Sequence, residues 1–168
     1  DIVLPNNGLN ASCVKAADFD HDGDLDLFVG NRVIPGQYPV SGKSFLLENK
    51  STIDKPMLVD CSEKLNIKQN ELGLVTDALW TDFNNDGWTD LVVTGEWMPI
   101  LFFENKGGSF EQLRDTGIDD ALGWWSSLSS SDIDNDGDLD FIAGNFGVNT
   151  FFRGNKNQPL GIIAKDFD

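Results

Sequence analysis

The sequence is poor in cysteine and in basic residues, and each shortage excludes a class of protein. Its 168 residues include two cysteines, Cys13 and Cys61, which are too few for a disulfide scaffold. If they lie on the first and last strands of one four-stranded sheet, they are roughly 14 Å apart, so two free, buried thiols are favoured over a bridge. Twelve basic residues stand against 28 acidic ones, a net charge of −16. This balance argues against a nucleic-acid partner.

Long apolar runs and helical periodicity are also missing. The sequence has no run of 18 apolar residues, so we expect no membrane insertion. No segment longer than about ten residues has the apolar period of a helix. His21 is the only histidine, and no serine lies in a nucleophile signature. We expect His21 to be solvated, and we expect the chain, which starts at Asp1, to be a piece of a longer precursor.

An acidic motif recurs along the chain. Three segments, Asp18–Asp26, Asp82–Asp90 and Asp132–Asp140, align without gaps as D-x-[DN]-x-D-G-x-x-D. Asp166 and Asp168 resemble the start of a fourth copy. Repetition at this spacing is typical of propellers and other repeat folds. The expected division of the 1–168 fragment is repeat 1 at 11–70, repeat 2 at 71–120, repeat 3 at 121–165 and the start of a further repeat at 166–168.

Short strand-like runs flank each motif. They precede it at 11–17, 74–81 and 125–131, and follow it at 25–30, 91–95 and 139–144. Further strands are predicted at 44–48, 100–104 and 149–153, a hairpin turn at 105–108 leads into 109–113, and the longer first repeat is assigned an insertion at 31–43. Nearly continuous apolar strands must be covered on both faces. The sequence therefore predicts an all-β fold, a partial β-propeller of about three blades with antiparallel sheets and calcium-binding loops between strands.

The motif has the chemistry of a calcium site. Ca²⁺ takes six to eight oxygen ligands, and a glycine permits the tight bend that brings them together. An EF-hand would need a glutamate at the twelfth position, where this chain has Val29, Val93 and Ala143. We predict about three calcium ions. Their side-chain ligands are Asp18, Asp20, Asp22 and Asp26 in the first loop, Asp82, Asn84, Asp86 and Asp90 in the second, and Asp132, Asp134, Asp136 and Asp140 in the third, with the backbone carbonyls of Asp24, Trp88 and Asp138.

These residues resemble the FG-GAP/VCBS repeat family, whose integrin α-subunit relatives form β-propellers. The segments 30–39 and 95–99 further resemble bacterial surface proteins of the ASPIC/UnbV type. The resemblance implies that calcium is structural and that the propeller serves adhesion or ligand binding. It also implies an extracellular or cell-surface location, the periplasm or outer surface if the source is bacterial. Asn84 departs from the acidic pattern, and a fourth site at Asp166 and Asp168 is unsupported because the motif is cut short.

The expected function is a calcium-binding module, not an enzyme, with an extracellular protein or a glycan as ligand. The alternative is a carbohydrate-binding module or a non-catalytic part of a polysaccharide-degrading enzyme. Trp97, Trp124 and Trp125 either pack between blades or stack on sugars, and aromatic residues exposed on one rim would favour glycan binding. We expect an isolated fragment to self-associate through its open blade faces.

Overall fold

The computed structural model describes residues 10–67 and 72–147, which form ten strands and one short 3₁₀ helix. Every strand pairing is antiparallel, as predicted. The strands are β1 Asn10–Ala17, β2 Asp26–Val33, β3 Phe45–Asn49, β4 Leu58–Asp60, β5 Leu74–Thr81, β6 Asp90–Met98, β7 Leu101–Asn105, β8 Phe110–Gln112, β9 Gly123–Ser131 and β10 Asp140–Asn145. No helix in these ranges is long and apolar enough to cross a membrane.

The strands form two four-stranded units and the first two strands of a third. The first sheet has the order β1-β2-β3-β4, and β5-β6-β7-β8 repeats that order. Strands β9 and β10 join the second sheet where Glu96 of β6 pairs with Trp124 of β9. The register around the motif is the same each time, with Ala17 opposite Asp26, Thr81 opposite Asp90 and Ser131 opposite Asp140. This arrangement confirms the all-β, partial propeller-like fold.

Burial follows the packing of one unit on the next. Phe28 of β2 and Val92 of β6 occupy equivalent positions, and both are fully buried. Ile142 of β10 occupies the same position in the third unit, yet 53% of its surface is exposed. The apolar face that is covered in the first two units is therefore open in the third.

The long insertion begins later than predicted. Strand β2 continues to Val33, so residues 34–44 connect it to β3, whereas only Pro99 and Ile100 separate β6 from β7. Asn31 belongs to the strand because it pairs with Ala11 of β1. Its backbone N–H donates to Ser44 Oγ at 3.0 Å and its Nδ2 donates to the Lys43 carbonyl at 2.6 Å, which ties the connection to the strand. The strand predicted at 149–153 and the partial motif at 166–168 lie outside the described residues.

Both cysteines are free, as favoured from their spacing. Cys61 follows β4, is buried, and donates its thiol to the Leu46 carbonyl at 3.4 Å. Burial raises the pKa of the Cys61 thiol to about 12. Cys13 on β1 is only half-buried, which differs from the prediction, because much of β1 is exposed. Burial raises the pKa of the Cys13 thiol as well.

Candidate functional site

Each acidic motif forms the loop between the first two strands of a unit. The fourth motif residue lies in the left-handed region, with φ of 60° at His21, 58° at Asn85 and 62° at Asn135. The sixth residue is glycine in every copy, and its φ is between 90° and 97°. A side chain at such a φ is strained, whereas glycine adopts it readily. The two left-handed residues fold the loop back toward its first aspartate.

The loops close through the same hydrogen bonds in all three copies. The sixth-position N–H donates to the first carboxylate at 3.1 Å in the first loop, 2.9 Å in the second and 3.1 Å in the third. The seventh-position N–H donates to the fifth carboxylate. These donors are Asp24, Trp88 and Asp138, at 3.0, 2.8 and 2.9 Å. The fold therefore builds one loop geometry three times.

Two loops bring three carboxylates to one point. In the first loop, Asp18, Asp20 and Asp22 each offer an oxygen, and these oxygens lie within 4.8 Å of one another. In the third loop the first, third and fifth residues meet the same limit. They are Asp132, Asp134 and Asp136. Asp18 Oδ1 is buried and has no hydrogen-bond partner among the described residues. A buried acceptor without a donor is costly, and a cluster of hard oxygen donors suits Ca²⁺.

The second loop differs because Asn84 replaces an aspartate. Asn84 Nδ2 donates to Asp86 Oδ2 at 3.1 Å and to Glu104 Oε1 at 2.7 Å. Glu104 at the end of β7 thus supplies a carboxylate beside the loop that lacks one. The sequence prediction missed this residue, although Glu-Asn-Lys recurs at 48–50 and 104–106. Glu48, its equivalent, lies near the first loop. Burial raises the pKa of Asp20, and the charges of Asp22 and then of Glu48 raise it further.

The ninth motif residue lies behind the loop. Asp26 and Asp90 are fully buried, and each accepts hydrogen bonds through both oxygens. Asp90 accepts from Phe83 N at 3.1 Å and from Asn105 N at 2.7 Å, and Asp26 has the equivalent pair of bonds. Burial raises the pKa of Asp26 and of Asp90, against the effect of these bonds. Asp140 is exposed and accepts from Ile133 N at 2.9 Å. These carboxylates tie each loop to its sheet, and their role as metal ligands remains a prediction.

The first and second loops contact each other. His21 is exposed, as expected, but its ring stacks on Trp88 with centroids 4.3 Å apart and planes 9° apart. Asn105, fully buried, donates from Nδ2 to the Phe19 carbonyl at 2.7 Å. Lys50 Nζ lies 3.6 Å from Asp22 Oδ2, so the first loop has a cation nearby. Each contact joins neighbouring parts of the acidic end of the fold.

Aromatic residues gather at the other end of the strands. Trp97 and Trp124 lie with ring centroids 5.3 Å apart, and Trp124 lies 5.1 Å from Phe146. Trp97 Nε1 donates to the Tyr38 hydroxyl at 2.7 Å. Trp125 instead donates from Nε1 to the Ala121 carbonyl at 3.1 Å within its own unit. Of the three tryptophans considered from the sequence, two belong to this aromatic row.

Comparison with protein families identifies the repeat. Residues 82–143 match the family model described as an FG-GAP-like repeat. The matched segment begins at the first residue of the second acidic loop and continues past the third. A search of curated proteins found no match. The resemblance inferred from the acidic motif is confirmed: this chain contains an FG-GAP-like repeat at residues 82–143.

Proposed function

We propose that the chain is a non-catalytic module whose loops bind about three structural calcium ions and which binds an extracellular protein or glycan. The three-carboxylate groups of the first and third loops carry the calcium part of this proposal. Like charges held within 4.8 Å repel one another, and a divalent cation removes that repulsion while fixing the turn between two strands. Binding energy at the loops then stabilises the sheets.

The surroundings of the acidic residues support a structural role for them. Asp26 and Asp90 use their oxygens to hold backbone N–H groups, and Asp18 closes its own loop.

Lys106 lines a shallow cleft beside Glu111 and Arg114. Its hydrogen bond from Nζ to Glu104 raises the pKa of Lys106, so the amine stays protonated and is a poor general base. Turnover of acidic polysaccharides would contradict the non-catalytic assignment.

The proposed location is outside the cytosol. Calcium sites of extracellular modules are matched to the millimolar concentrations found there. FG-GAP-like repeats are typical of surface proteins, and the match at 82–143 supports the same location here. Protease treatment of intact cells that express the protein tests this placement, because only a protein outside the cell is then cleaved.

Calcium binding is tested by counting ions and by melting the protein. Equilibrium dialysis against ⁴⁵Ca²⁺ should give about three ions per chain, and a chelator should lower Tm. Mg²⁺ at the same concentration should raise Tm less, because it keeps its waters and demands a stricter geometry. A Tm that is the same in calcium and in chelator would refute the metal assignment.

The open face of the third unit supports self-association of this segment. Ile133 and Ile142 are both more than half exposed, while their equivalents Phe19 and Phe28 in the first unit are fully buried. Sedimentation velocity in calcium should detect dimers or larger species, and Ile142→Asp should shift them to monomer. A wild-type protein that is monomeric at high concentration would contradict this proposal.

A further inference from the structure

An aromatic row crosses all three units at the end remote from the acidic loops. Its members are Tyr38 from the β2–β3 connection, Trp97 near the end of β6, Trp124 at the start of β9 and Phe146 just after β10. We call these four residues the aromatic platform. Tyr38 is 44% exposed and Phe146 is 52% exposed, and the two tryptophans between them are partly exposed. The interplanar angles of 39° and 33° along the row make a curved surface.

A neutralised ion pair lies beside the aromatic platform. Arg32 Nη2 is 2.5 Å from Glu96 Oε1, and the Tyr38 hydroxyl donates to Glu96 Oε2 at 3.2 Å. Arg32 Nε is buried without a hydrogen-bond partner among the described residues. Glu96 is buried and both its oxygens are bonded, whereas 38% of the Arg32 side chain is exposed, so the pair offers N–H donors at the platform but no net charge. A ligand cannot reach this inaccessible Nε, so the N–H groups at the exposed end of the guanidinium are the ones available to it.

The backbone under Trp97 is strained. Trp97 has a φ of 60°, an outlier for a bulky side chain. Gly95, two residues earlier, has no room for a side chain, because an added Cβ would lie 2.2 Å from the Leu74 carbonyl oxygen. Strain of this kind persists only where the surroundings enforce it, and it concentrates at ligand sites. Here it fixes the Trp97 ring between Tyr38 and Trp124.

We propose that the aromatic platform binds a neutral saccharide chain. The apolar faces of sugar rings pack on aromatic rings, while their hydroxyls need polar partners close by, which the exposed part of Arg32 and the Tyr38 hydroxyl supply. An anionic glycan is disfavoured because Glu96 neutralises Arg32 and the whole chain carries a charge of −16. The inference rests on the proposed ligand-binding role and names the ligand class.

The test is a binding titration of the calcium-loaded protein with soluble cello-, manno- and laminari-oligosaccharides. Oligogalacturonate and a proline-rich peptide serve as the acidic and peptide probes. Phe146→Ala removes an exposed ring, so the fold should tolerate it, and we expect about a tenfold weaker Kd for the neutral sugar. Ile53→Ala, an exposed apolar side chain in the β3–β4 hairpin, is the matched control and should not change Kd. Glu96→Gln should shift preference toward oligogalacturonate, since it leaves Arg32 charged and unpaired.

Two results would overturn the inference. One is no binding of any neutral oligosaccharide by the wild-type protein, or binding that Phe146→Ala leaves unchanged. The other is tight binding of the proline-rich peptide alone, which would assign the platform to a protein partner. Neither result bears on the calcium proposal, because ion count and chelator-dependent Tm are measured without sugar.

Discussion

Replacing Asp134 by asparagine separates the two electrostatic effects proposed for the third loop. Asp134 lies within 4.8 Å of both Asp132 and Asp136, measured between their ligand oxygens. The substitution keeps the Oδ1 that accepts the Asp136 N–H at 3.2 Å, so the loop retains its hydrogen bond. It removes one negative charge and hence two repulsive pairs. The third loop suits this experiment better than the first, where Lys50 lies close to Asp22.

The expected effect has opposite signs with and without calcium. At 4.8 Å each exposed pair costs about 0.9 kcal/mol in water, so two pairs cost about 1.7 kcal/mol. In chelator the variant should therefore melt about 3–7 °C higher than the wild type. When free calcium is at 100 times the Kd of a site, binding adds about 2.7 kcal/mol to the free energy of unfolding. At the same calcium concentration, a site that binds a hundredfold more weakly adds only about 0.4 kcal/mol. The rise in Tm on adding calcium should then be smaller in the variant by about 5–9 °C.

The assay is thermal unfolding followed by circular dichroism in saturating calcium and in chelator, at low and high salt. The control variant Asp54→Asn makes the same charge change on the exposed β3–β4 turn, and it should alter the Tm neither in calcium nor in chelator. Added salt should reduce the rise in Tm that Asp134→Asn produces in chelator, because salt screens exposed charges. If Asp134→Asn melts lower than the wild type in chelator, or keeps the full calcium response, the carboxylates of this loop do not act as a repulsive cluster relieved by metal.

Three further predictions concern residues outside the motif. Asn105→Ala should lower the free energy of unfolding by about 2–4 kcal/mol, because it leaves the Phe19 and Thr89 carbonyls without their hydrogen-bond donor. The urea midpoint should fall accordingly, and an unchanged midpoint would contradict this prediction. Cys61, with its pKa raised to about 12, should react with iodoacetamide at pH 8 only after denaturation, as read by intact mass. Lysine hydrogen bonds lower the pKa of Glu48, so its stabilisation is present at neutral pH and lost below its ordinary pKa of 4.5. The difference in free energy of unfolding between the wild type and Glu48→Gln, measured in urea, should therefore disappear at acidic pH. A difference that is constant with pH would argue against the ion pair.

The sequence predicted the strands well wherever local pattern determined them. The run predicted at 74–81 is β5 to the residue, and β9 begins only two residues before its predicted start. Strand β4 and the 3₁₀ helix Ser62–Leu65 were missed. Both are short, and their neighbours Lys55 and Pro56 interrupt any alternation. They are held by contacts to β3, such as the Cys61 N–H donating to the Leu46 carbonyl at 2.9 Å, which no local pattern reveals.

The loops were more predictable than the residues around them. Repetition identified the aspartates, because each loop closes on itself with bonds between residues at most seven apart. The partners from other strands were not accessible in the same way. Glu104 reaches Asn84 across 20 residues, and Tyr38 reaches Glu96 across 58. Such pairings depend on how the units pack, so only the fold itself brings them together.

The three units are alike at one end of their strands and different at the other. Where β2, β6 and β10 begin, the three units share the aspartates at the first, fifth and ninth motif positions, the glycine at the sixth, and the hydrogen bond between the sixth and first residues. Where these strands end, the units differ, because one contributes Tyr38 from a long connection, another Trp97 at a strained φ, and the third Phe146. Three loops of the same backbone geometry fit a metal that rigidifies every unit in the same way. The proposed saccharide would contact different groups in each unit, and among the described residues the aromatic end is where the units differ in this way.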